Sequence, residues 1–260
     1  MRFSEINYLV KRENRMDLYQ NLIDLITVKN SEKCDINFLV IPKRITDISH
    51  YILNIRDGES SEIIFQNLLQ NLNIRIHKKG LDKLTSNKKI FICNHSCYID
   101  PLIIYIIFKC GFLAGSFVRN ISLIKKIVKL LPILYIQRGD KKNTVSKIKE
   151  FIENIGNICL FPEGLVTHYN TLAQFRTGAF NAGYEVQPLI IKYSPNVHHT
   201  DYKKFILRLL SQERIDVELE VLDPYNPPFN KESIAEIRDK MAMRGDLAKS
   251  RISNRDIKEL

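Results

Sequence analysis

The 260-residue sequence contains no tryptophan, only 10 glycines and 9 prolines, and five scattered cysteines. A chain so poor in glycine and proline is not collagen-like or of low complexity, and 45% apolar with 26% charged residues is an ordinary globular composition. The cysteines are odd in number, and no pair is spaced like metal ligands. We therefore expect neither a disulfide scaffold nor a metal site, and we expect a reducing compartment.

Long apolar runs are also missing. Within the most apolar stretch, the first unbroken part is Pro101 to Phe108, less than half of the roughly 20 residues that span a bilayer. The amino-terminal residues lead into the charged run Lys11 to Arg15 without an apolar segment, so no signal peptide is expected. The sequence thus favours a cytoplasmic protein that is not secreted.

Negative charge is in deficit, since 39 Lys and Arg residues oppose 29 Asp and Glu residues. The net charge of +10 fits an anionic partner, which is a nucleic acid, an acidic membrane face or a phosphorylated ligand, and it fits equally a generally soluble basic protein without such a partner. A nucleic-acid interface needs basic residues interleaved with exposed aromatics, or a recognisable module. Most Tyr and Phe residues fall instead in apolar strand and helix patterns, so no nucleic-acid partner is expected.

The apolar pattern divides the chain into three parts. Residues 1–71 are predicted to be mainly helical, with helical spacing in Met16–Ile26 and Ile63–Leu69 and a short strand at Ile36–Ile41. In residues 72–245, short apolar runs alternate with helical patterns, which predicts an α/β fold with a mostly parallel sheet flanked by helices. Residues 246–260 form a polar tail. The strands predicted in the main domain are Ile74–His77, Lys89–Cys93, Ile133–Ile136, Asn157–Phe161, Val186–Tyr193 and Asp216–Leu222, and its helices are Pro101–Lys109, Ile121–Leu131, Thr144–Ile155 and Lys231–Met243.

Unusual polar residues follow the predicted strands, where open α/β sheets collect their ligands. After the strand that ends at Cys93 come Asn94 and His95, and Asp100 lies where the next helix begins, in a position suited to an N-cap. Across a strand–turn–helix corner, His95 and Asp100 can meet, and the carboxylate then leaves one ring nitrogen able to accept a proton. The spacing by itself equally fits a helix cap beside a polar turn residue.

Two further clusters follow later strands. Arg138 comes just after Ile133–Ile136 and can offer a planar fork to a phosphate, or pair with a nearby acid in a turn. Glu163 and Gly164 form a tight turn after Phe161-Pro162, and Arg176 lies one loop further on. Taken alone, Glu163 also fits a solvated turn acid.

These clusters in this order resemble the motifs of the glycerolipid acyltransferase family, N-H-x₄-D, an Arg-bearing motif, F-P-E-G and a proline-bearing strand. The corresponding residues here are Asn94-His95-Ser96-Cys97-Tyr98-Ile99-Asp100, Tyr135-Ile136-Gln137-Arg138, Phe161-Pro162-Glu163-Gly164 and Val186-Gln187-Pro188-Leu189-Ile190-Ile191. Segments such as Leu172–Phe180 and Ile237–Ala242 look most like the lysophosphatidylcholine and lysophosphatidylethanolamine branch. The chain departs from the family at Leu165, where Thr is usual, and at Arg176, which is often Lys.

The resemblance implies a glycerolipid acyltransferase-like fold and acyl transfer from acyl-CoA, as co-substrate, to a hydroxyl of a lysophospholipid. It implies no cofactor and no metal. His95 would act as general base with Asp100. The residues implied to bind substrate are Asn94, Arg138, Glu163, Gly164 and Arg176. Cys97 is an alternative nucleophile that the family chemistry does not use, and a catalytically inactive lipid-binding or scaffold protein is the alternative function.

One predicted helix has the pattern of a membrane-surface helix. In residues 121–131, isoleucine, valine and leucine share one side, while Lys125, Lys126 and Lys129 line another. Such a basic amphipathic helix suits an acidic lipid surface, which predicts peripheral membrane association. A helix whose apolar side faces the protein core and whose basic side is exposed to solvent has the same pattern.

Overall fold

The computed structural model describes residues 34–55, 58–116, 128–137, 141–199 and 201–253. The helices in this part of the chain are α1 (Ile41–Leu53), α2 (Ser61–Asn71), α3 (Asp100–Phe108), α4 (Lys141–Asn154), α5 (Tyr202–Ser211) and α6 (Lys231–Gly245). The strands are β1 (Ile74–Lys79), β2 (Lys89–Cys93), β3 (Gly111–Gly115), β4 (Ile133–Ile136), β5 (Ile158–Leu160), β6 (Thr171–Leu172), β7 (Glu185–Ser194), β8 (Ile215–Val221) and β9 (Ala248–Lys249).

Seven strands form one sheet in the order β1-β8-β7-β2-β5-β3-β4, and every neighbouring pair is parallel except β7 and β8. Strand β2 lies between β7 and β5, with Ile92 opposite Pro188 on one side and Leu160 on the other. The segments that follow β2 and β5 therefore emerge side by side at the carboxyl edge of the sheet. β6 and β9 pair separately as a short parallel ribbon.

Helices cover both faces of the sheet, because side chains along a strand alternate between its faces. Phe91 of β2 packs on one side with α2, α3 and α5, whereas Ile90 and Ile92 pack on the other with α4 and α6. All five residues of β2 are buried, as expected for a strand covered on both faces. α2 contributes Ile64 and Phe65 to the core shared with the sheet.

The sequence predicts most of these elements within a few residues. β2 and β4 have the predicted bounds, and Ser60 caps α2 by accepting a hydrogen bond from the Glu62 backbone N–H. The predicted helix at Met16–Ile26 and residues 254–260 of the predicted tail lie outside the described residues.

The strand predicted at Ile36–Ile41 is wrong. This stretch is loop and turn as far as Val40, and α1 begins at Ile41 with Pro42 in its first turn. Proline has no N–H for a strand ladder and suits the start of a helix, so the apolar run ends in a helix instead of a sheet. Leu39 is 90% exposed, so this end of the run does not enter the core.

No helix in the described part of the chain combines the length and apolar character that crossing a bilayer requires.

Candidate active site

The His95 and Asp100 side chains meet at the carboxyl edge of the sheet, with Nδ1 of His95 2.8 Å from Oδ2 of Asp100. The chain turns sharply after β2, so that the first turn of α3 returns the carboxylate to the ring. An ionised carboxylate only accepts hydrogen bonds, so Nδ1 carries the proton and Nε2 keeps its lone pair. None of the described residues hydrogen-bonds Nε2, and 16% of the His95 side chain is exposed. The pair therefore presents a basic nitrogen to a ligand.

The Asp100 carboxylate is fully buried and held from three directions. Oδ2 accepts hydrogen bonds from His95 and from the backbone N–H of Cys97, 3.0 Å away, and Oδ1 accepts one from the Tyr193 hydroxyl. The prediction that Asp100 is the helix N-cap is wrong, because Ile99 is the N-cap residue and Asp100 is the first residue of α3. Its carboxylate binds back to the turn instead, which fixes the orientation of the imidazole.

The His95 ring is also fixed from its flat side. It stacks on Phe161 with ring centroids 3.9 Å apart and an interplanar angle of 17°. Phe161 follows β5, the neighbour of β2, so the stacking depends on the parallel pairing of these strands. Phe161 thus covers one face of the imidazole and restricts its rotation.

Cys97 is poorly placed to act as a nucleophile. Its side chain is 1% exposed, and burial, with Asp100 nearby, raises the pKa of the Cys97 thiol well above its usual value. A thiol attacks as the thiolate, so this cysteine stays in its unreactive form at neutral pH.

Glu163 ties the loop after β5 to the loop that carries His95. Its carboxylate is fully buried, with Oε1 accepting from the His95 backbone N–H at 3.0 Å and Oε2 from the Ala173 N–H at 2.7 Å and the Thr167 hydroxyl at 3.0 Å. The Thr167 N–H in turn donates to the His95 carbonyl at 2.7 Å. Every contact found for this carboxylate is thus internal, so its role in the structure is to position His95, and the predicted contact with an acceptor stays a prediction.

Burial has an electrostatic effect on Glu163. Desolvation raises the pKa of the Glu163 carboxyl to about 7, against the hydrogen bonds from Ala173, His95 and Thr167 and the charge of Arg238, which lower it. Near neutral pH this group therefore titrates, and the ionised form is the one that its backbone donors favour.

Gly164 and Arg176 lie together, as the sequence places them on consecutive loops. Gly164 has a positive φ of 72°, and a Cβ at this position would lie 2.9 Å from Nε of Arg176. This backbone conformation favours glycine, and a Cβ at this position would displace the guanidinium packed over it. The backbone N–H of Arg176 also donates a hydrogen bond to the Pro162 carbonyl at 2.8 Å, so the loop folds back over the F-P-E-G turn.

Asn94 binds the neighbouring strand instead of facing the edge. Its amide exchanges two hydrogen bonds of 2.9 Å with the backbone of Ile191 in β7, and only 1% of the residue is exposed. These bonds continue the pairing of β2 with β7 by one residue and set the point where the His95 loop departs. A direct contact of Asn94 with substrate stays a prediction.

Arg138 lies outside the described residues, as do residues 121–127 of the predicted membrane-surface helix. At the carboxyl end of that helix, Val128 and Leu131 are buried and Lys129 is exposed. At these positions the apolar side therefore faces the protein core.

Two residues that sequence reasoning assigned no role support this site. The Arg238 guanidinium, on α6, donates to the Ala173 carbonyl at 3.1 Å, the Leu172 carbonyl at 2.7 Å and the Ser250 carbonyl at 2.5 Å, and so holds the loop that Glu163 binds. Tyr193 reaches Asp100 from β7. Burial and Asp100 raise the pKa of the Tyr193 hydroxyl well above its usual value, so it remains a protonated donor. Only the fold joins these residues to the dyad, since they lie far from it in sequence.

We expect Tyr193→Phe to lower kcat about 10-fold and to leave KM unchanged, because a hydrogen bond to a charged group is lost while the apolar ring remains. Steady-state kinetics separate the two constants. In an Asp100→Asn background the same change should have no further effect, which distinguishes positioning of Asp100 from general destabilisation.

Tyr184→Phe is a matched control. Tyr184 also donates to a carboxylate, that of Glu153 at 2.5 Å, but it precedes the opposite end of the same strand. An equal loss of kcat in the two variants would contradict the role given to Tyr193.

The sequence of this chain is similar to those of known acyltransferases. Residues 75–192 match the model of the family described as Acyltransferase. The chain is 29% identical over 128 residues to lysophospholipid acyltransferase LPEAT2 of Arabidopsis thaliana, 30% over 185 residues to LPEAT1 of the same plant, and 28% over 152 residues to a lysophosphatidylcholine acyltransferase of Drosophila melanogaster. The matches cover 47%, 64% and 53% of this chain but only 24%, 46% and 28% of the relatives, so the chain matches less than half of each relative.

A solved structure shares the fold. The 1-acyl-sn-glycerophosphate acyltransferase PlsC of Thermotoga maritima superposes with a TM-score of 0.56, and the match covers 81% of this chain and 95% of that one. At 15% identity the likeness concerns the fold alone. With the mostly parallel sheet, it confirms the fold class predicted from the sequence.

Proposed function

We propose that this chain is an acyltransferase of the family whose model it matches, and that it transfers a fatty acyl group from acyl-CoA to a free hydroxyl of a lysophospholipid. The observation that carries the proposal is the His95–Asp100 pair, with Nδ1 bound to a buried carboxylate and Nε2 open at the sheet edge. Lysophospholipids are named as acceptors of the relatives, and we extend that substrate class to this chain.

His95 acts as the general base in this scheme. Nε2 takes the proton of the acceptor hydroxyl while its oxygen attacks the thioester carbonyl, and the buried Asp100 carboxylate stabilises the imidazolium that forms. The tetrahedral intermediate then expels the coenzyme A thiolate, which recovers the proton from His95. The acceptor gains an ester, the donor leaves as a free thiol, and the imidazole returns to its starting state.

Glu163, Thr167 and Arg238 act at a distance from the reacting atoms. They hold the loops that carry His95 and Arg176, and such positioning supports catalysis because small displacements of a catalytic group cost large factors in rate. Peripheral association with a membrane is part of the proposal, since the acceptor is a membrane lipid, and Arg176 is proposed to contact its polar part.

A thiol-release assay tests the proposal. The full chain is incubated with acyl-CoA and, in separate reactions, with lysophosphatidate, lysophosphatidylethanolamine, lysophosphatidylcholine and lysophosphatidylglycerol. We expect free coenzyme A to appear only with an acceptor present, together with a diacyl product detected by mass spectrometry. Lipid binding without thiol release in any reaction would contradict the proposal and favour an inactive lipid-binding protein.

A further inference from the structure

A cavity of about 580 Å³ opens beside the candidate active site, at the carboxyl end of β7. It lies between that strand, the loop before β6 and the turn that follows α6. Its lining includes Ser96, Lys192, Tyr193 and Asp246. Its volume lies in the range of pockets that hold small ligands.

The cavity adjoins the dyad through two of these residues. Ser96 directly follows His95, so their Cα atoms are about 3.8 Å apart. The Tyr193 hydroxyl donates a hydrogen bond to Asp100. The Ser96 side chain is 3% exposed, and within the described ranges its hydroxyl has no hydrogen-bond partner. A buried hydroxyl without a partner is costly, and a ligand oxygen is one group that satisfies it.

The lining carries one charge of each sign. Lys192 is half-buried and Asp246 is exposed, and neither forms an ion pair with any residue that the structure describes. A site with one cation and one anion suits a ligand that itself has both charges. Coenzyme A fits it poorly, since its several phosphates would meet Asp246.

We propose that this cavity binds the zwitterionic head group of the acceptor, with its phosphate at Lys192 and its amine at Asp246. This inference rests on the proposed function, because it assigns the acceptor class of the same active site.

The covalent structure of a lysophospholipid supports this placement. Its reactive hydroxyl and its phosphate share one three-carbon glycerol, so an acceptor whose hydroxyl is at His95 has its phosphate only a few bonds away. The cavity begins at the adjacent residue, Ser96. The amine of an ethanolamine or choline group lies two carbons beyond the phosphate ester oxygen. Lys192 and Asp246 offer opposite charges to these two groups in one cavity.

Two variants test the assignment in the full chain. Lys192→Met keeps the aliphatic stem and should raise KM about 10-fold for every lysophospholipid, because all of them carry the phosphate. Asp246→Asn should raise KM about 3-fold for lysophosphatidylethanolamine and leave KM for lysophosphatidate and lysophosphatidylglycerol unchanged. Asp246 has a φ of 51° in the left-handed region after α6, a conformation that asparagine also accepts, so this variant should fold.

Exposed residues of α6 away from the cavity supply the controls, Lys240→Met and Glu236→Gln, and neither should change KM for any acceptor. Equal effects of Asp246→Asn on acceptors with and without an amine would overturn the amine site. An unchanged KM in Lys192→Met would overturn the phosphate site.

Binding of soluble head groups separates this inference from the proposed function, since it needs no turnover. Glycerophosphoethanolamine should bind the wild-type chain, and each variant should weaken it severalfold in calorimetry or NMR titration. Binding of glycerol 3-phosphate should be weakened by Lys192→Met and unchanged by Asp246→Asn. A chain that binds in this way but transfers no acyl group would contradict the proposed function alone, and transfer without this binding pattern would contradict the cavity assignment alone.

Discussion

Replacing His95 with alanine should lower acyl transfer by about 10²–10⁴-fold and leave the chain folded. Among the residues that the structure describes, the variant loses the only imidazole at this edge whose Nδ1 is held by a buried carboxylate while Nε2 stays available to a substrate. Folding should survive, because Asp100 keeps the Cys97 N–H and the Tyr193 hydroxyl as donors. The measurement is kcat from thiol release, together with thermal unfolding of both proteins.

His77→Ala provides the matched control. His77 is also bound to an aspartate, with Nε2 3.0 Å from Oδ1 of Asp216, but this pair lies on edge strand β1 and the His77 side chain is 59% exposed. The control should retain full activity. More than a few percent of wild-type activity in His95→Ala would rule out the general-base role.

The sequence predicts the central strands well because their environment is simple. β2 is buried on both faces, and a continuous apolar run bounded by polar residues marks such a strand. The polar residues that follow the run then lie at the carboxyl edge, so the meeting of His95 with Asp100 follows from the order of the elements. The resemblance to the family adds Glu163 and Arg176 to the same edge.

Other elements depend on contacts that a local pattern does not contain. The sequence pattern does not indicate β3, since this strand continues an apolar stretch that begins with the helical pattern of α3. The structure separates the two at Lys109, which has a φ of 51°, and at Gly111, where a Cβ would lie 2.2 Å from the ring of Phe151. The apolar pattern does not indicate α5 either, although Asp201 caps this helix by accepting a hydrogen bond from the Lys204 backbone N–H at 3.0 Å.

The hydrogen-bond partners of the buried polar residues cannot be predicted from the sequence. Glu163 binds backbone donors at His95 and Ala173, and Asn94 binds the backbone of Ile191. Backbone partners leave no trace in the sequence of either residue, because any side chain at those positions supplies the same N–H and carbonyl. A motif residue was therefore expected to touch substrate, whereas the structure gives it internal contacts.

Glu163→Gln should accordingly lower kcat by about 10- to 100-fold with little change in KM, because a misplaced catalytic loop costs such factors. The amide has the size of the carboxyl but replaces one acceptor oxygen with an NH₂ group. Either the His95 N–H or the Ala173 N–H then faces a donor, and the loop must move. Steady-state kinetics with a saturating acceptor measure the effect, and a wild-type kcat in this variant would contradict the positioning role.

The same substitution should also change how the unfolding free energy depends on pH. The pKa of Glu163 is raised from 4.5 to about 7, so between these values the folded chain binds a proton that the unfolded chain has released. The unfolding free energy of the wild type therefore falls as pH rises through this window, by up to about 3 kcal/mol. Glutamine does not titrate, so the stability difference between wild type and Glu163→Gln should shrink by that amount from pH 5 to pH 8 in denaturant unfolding.

Glu185→Gln is the control that shows whether this pH dependence is specific to Glu163 or follows from replacing any buried glutamate. Glu185 lies at the amino end of β7, where burial raises its pKa but hydrogen bonds from Thr85 and Asn87 and the charge of Lys89 bring it below its usual value. A carboxyl with a lowered pKa gives stability that is present above about pH 4.5 and is lost only as pH falls further. This variant should thus be destabilised equally at pH 5 and pH 8 and should keep its kcat. The pKa values of the two glutamates differ because Glu163 faces backbone donors in a buried loop, whereas Glu185 faces a lysine. If the stability difference between wild type and Glu163→Gln is the same at pH 5 and pH 8, the Glu163 carboxyl does not titrate near pH 7.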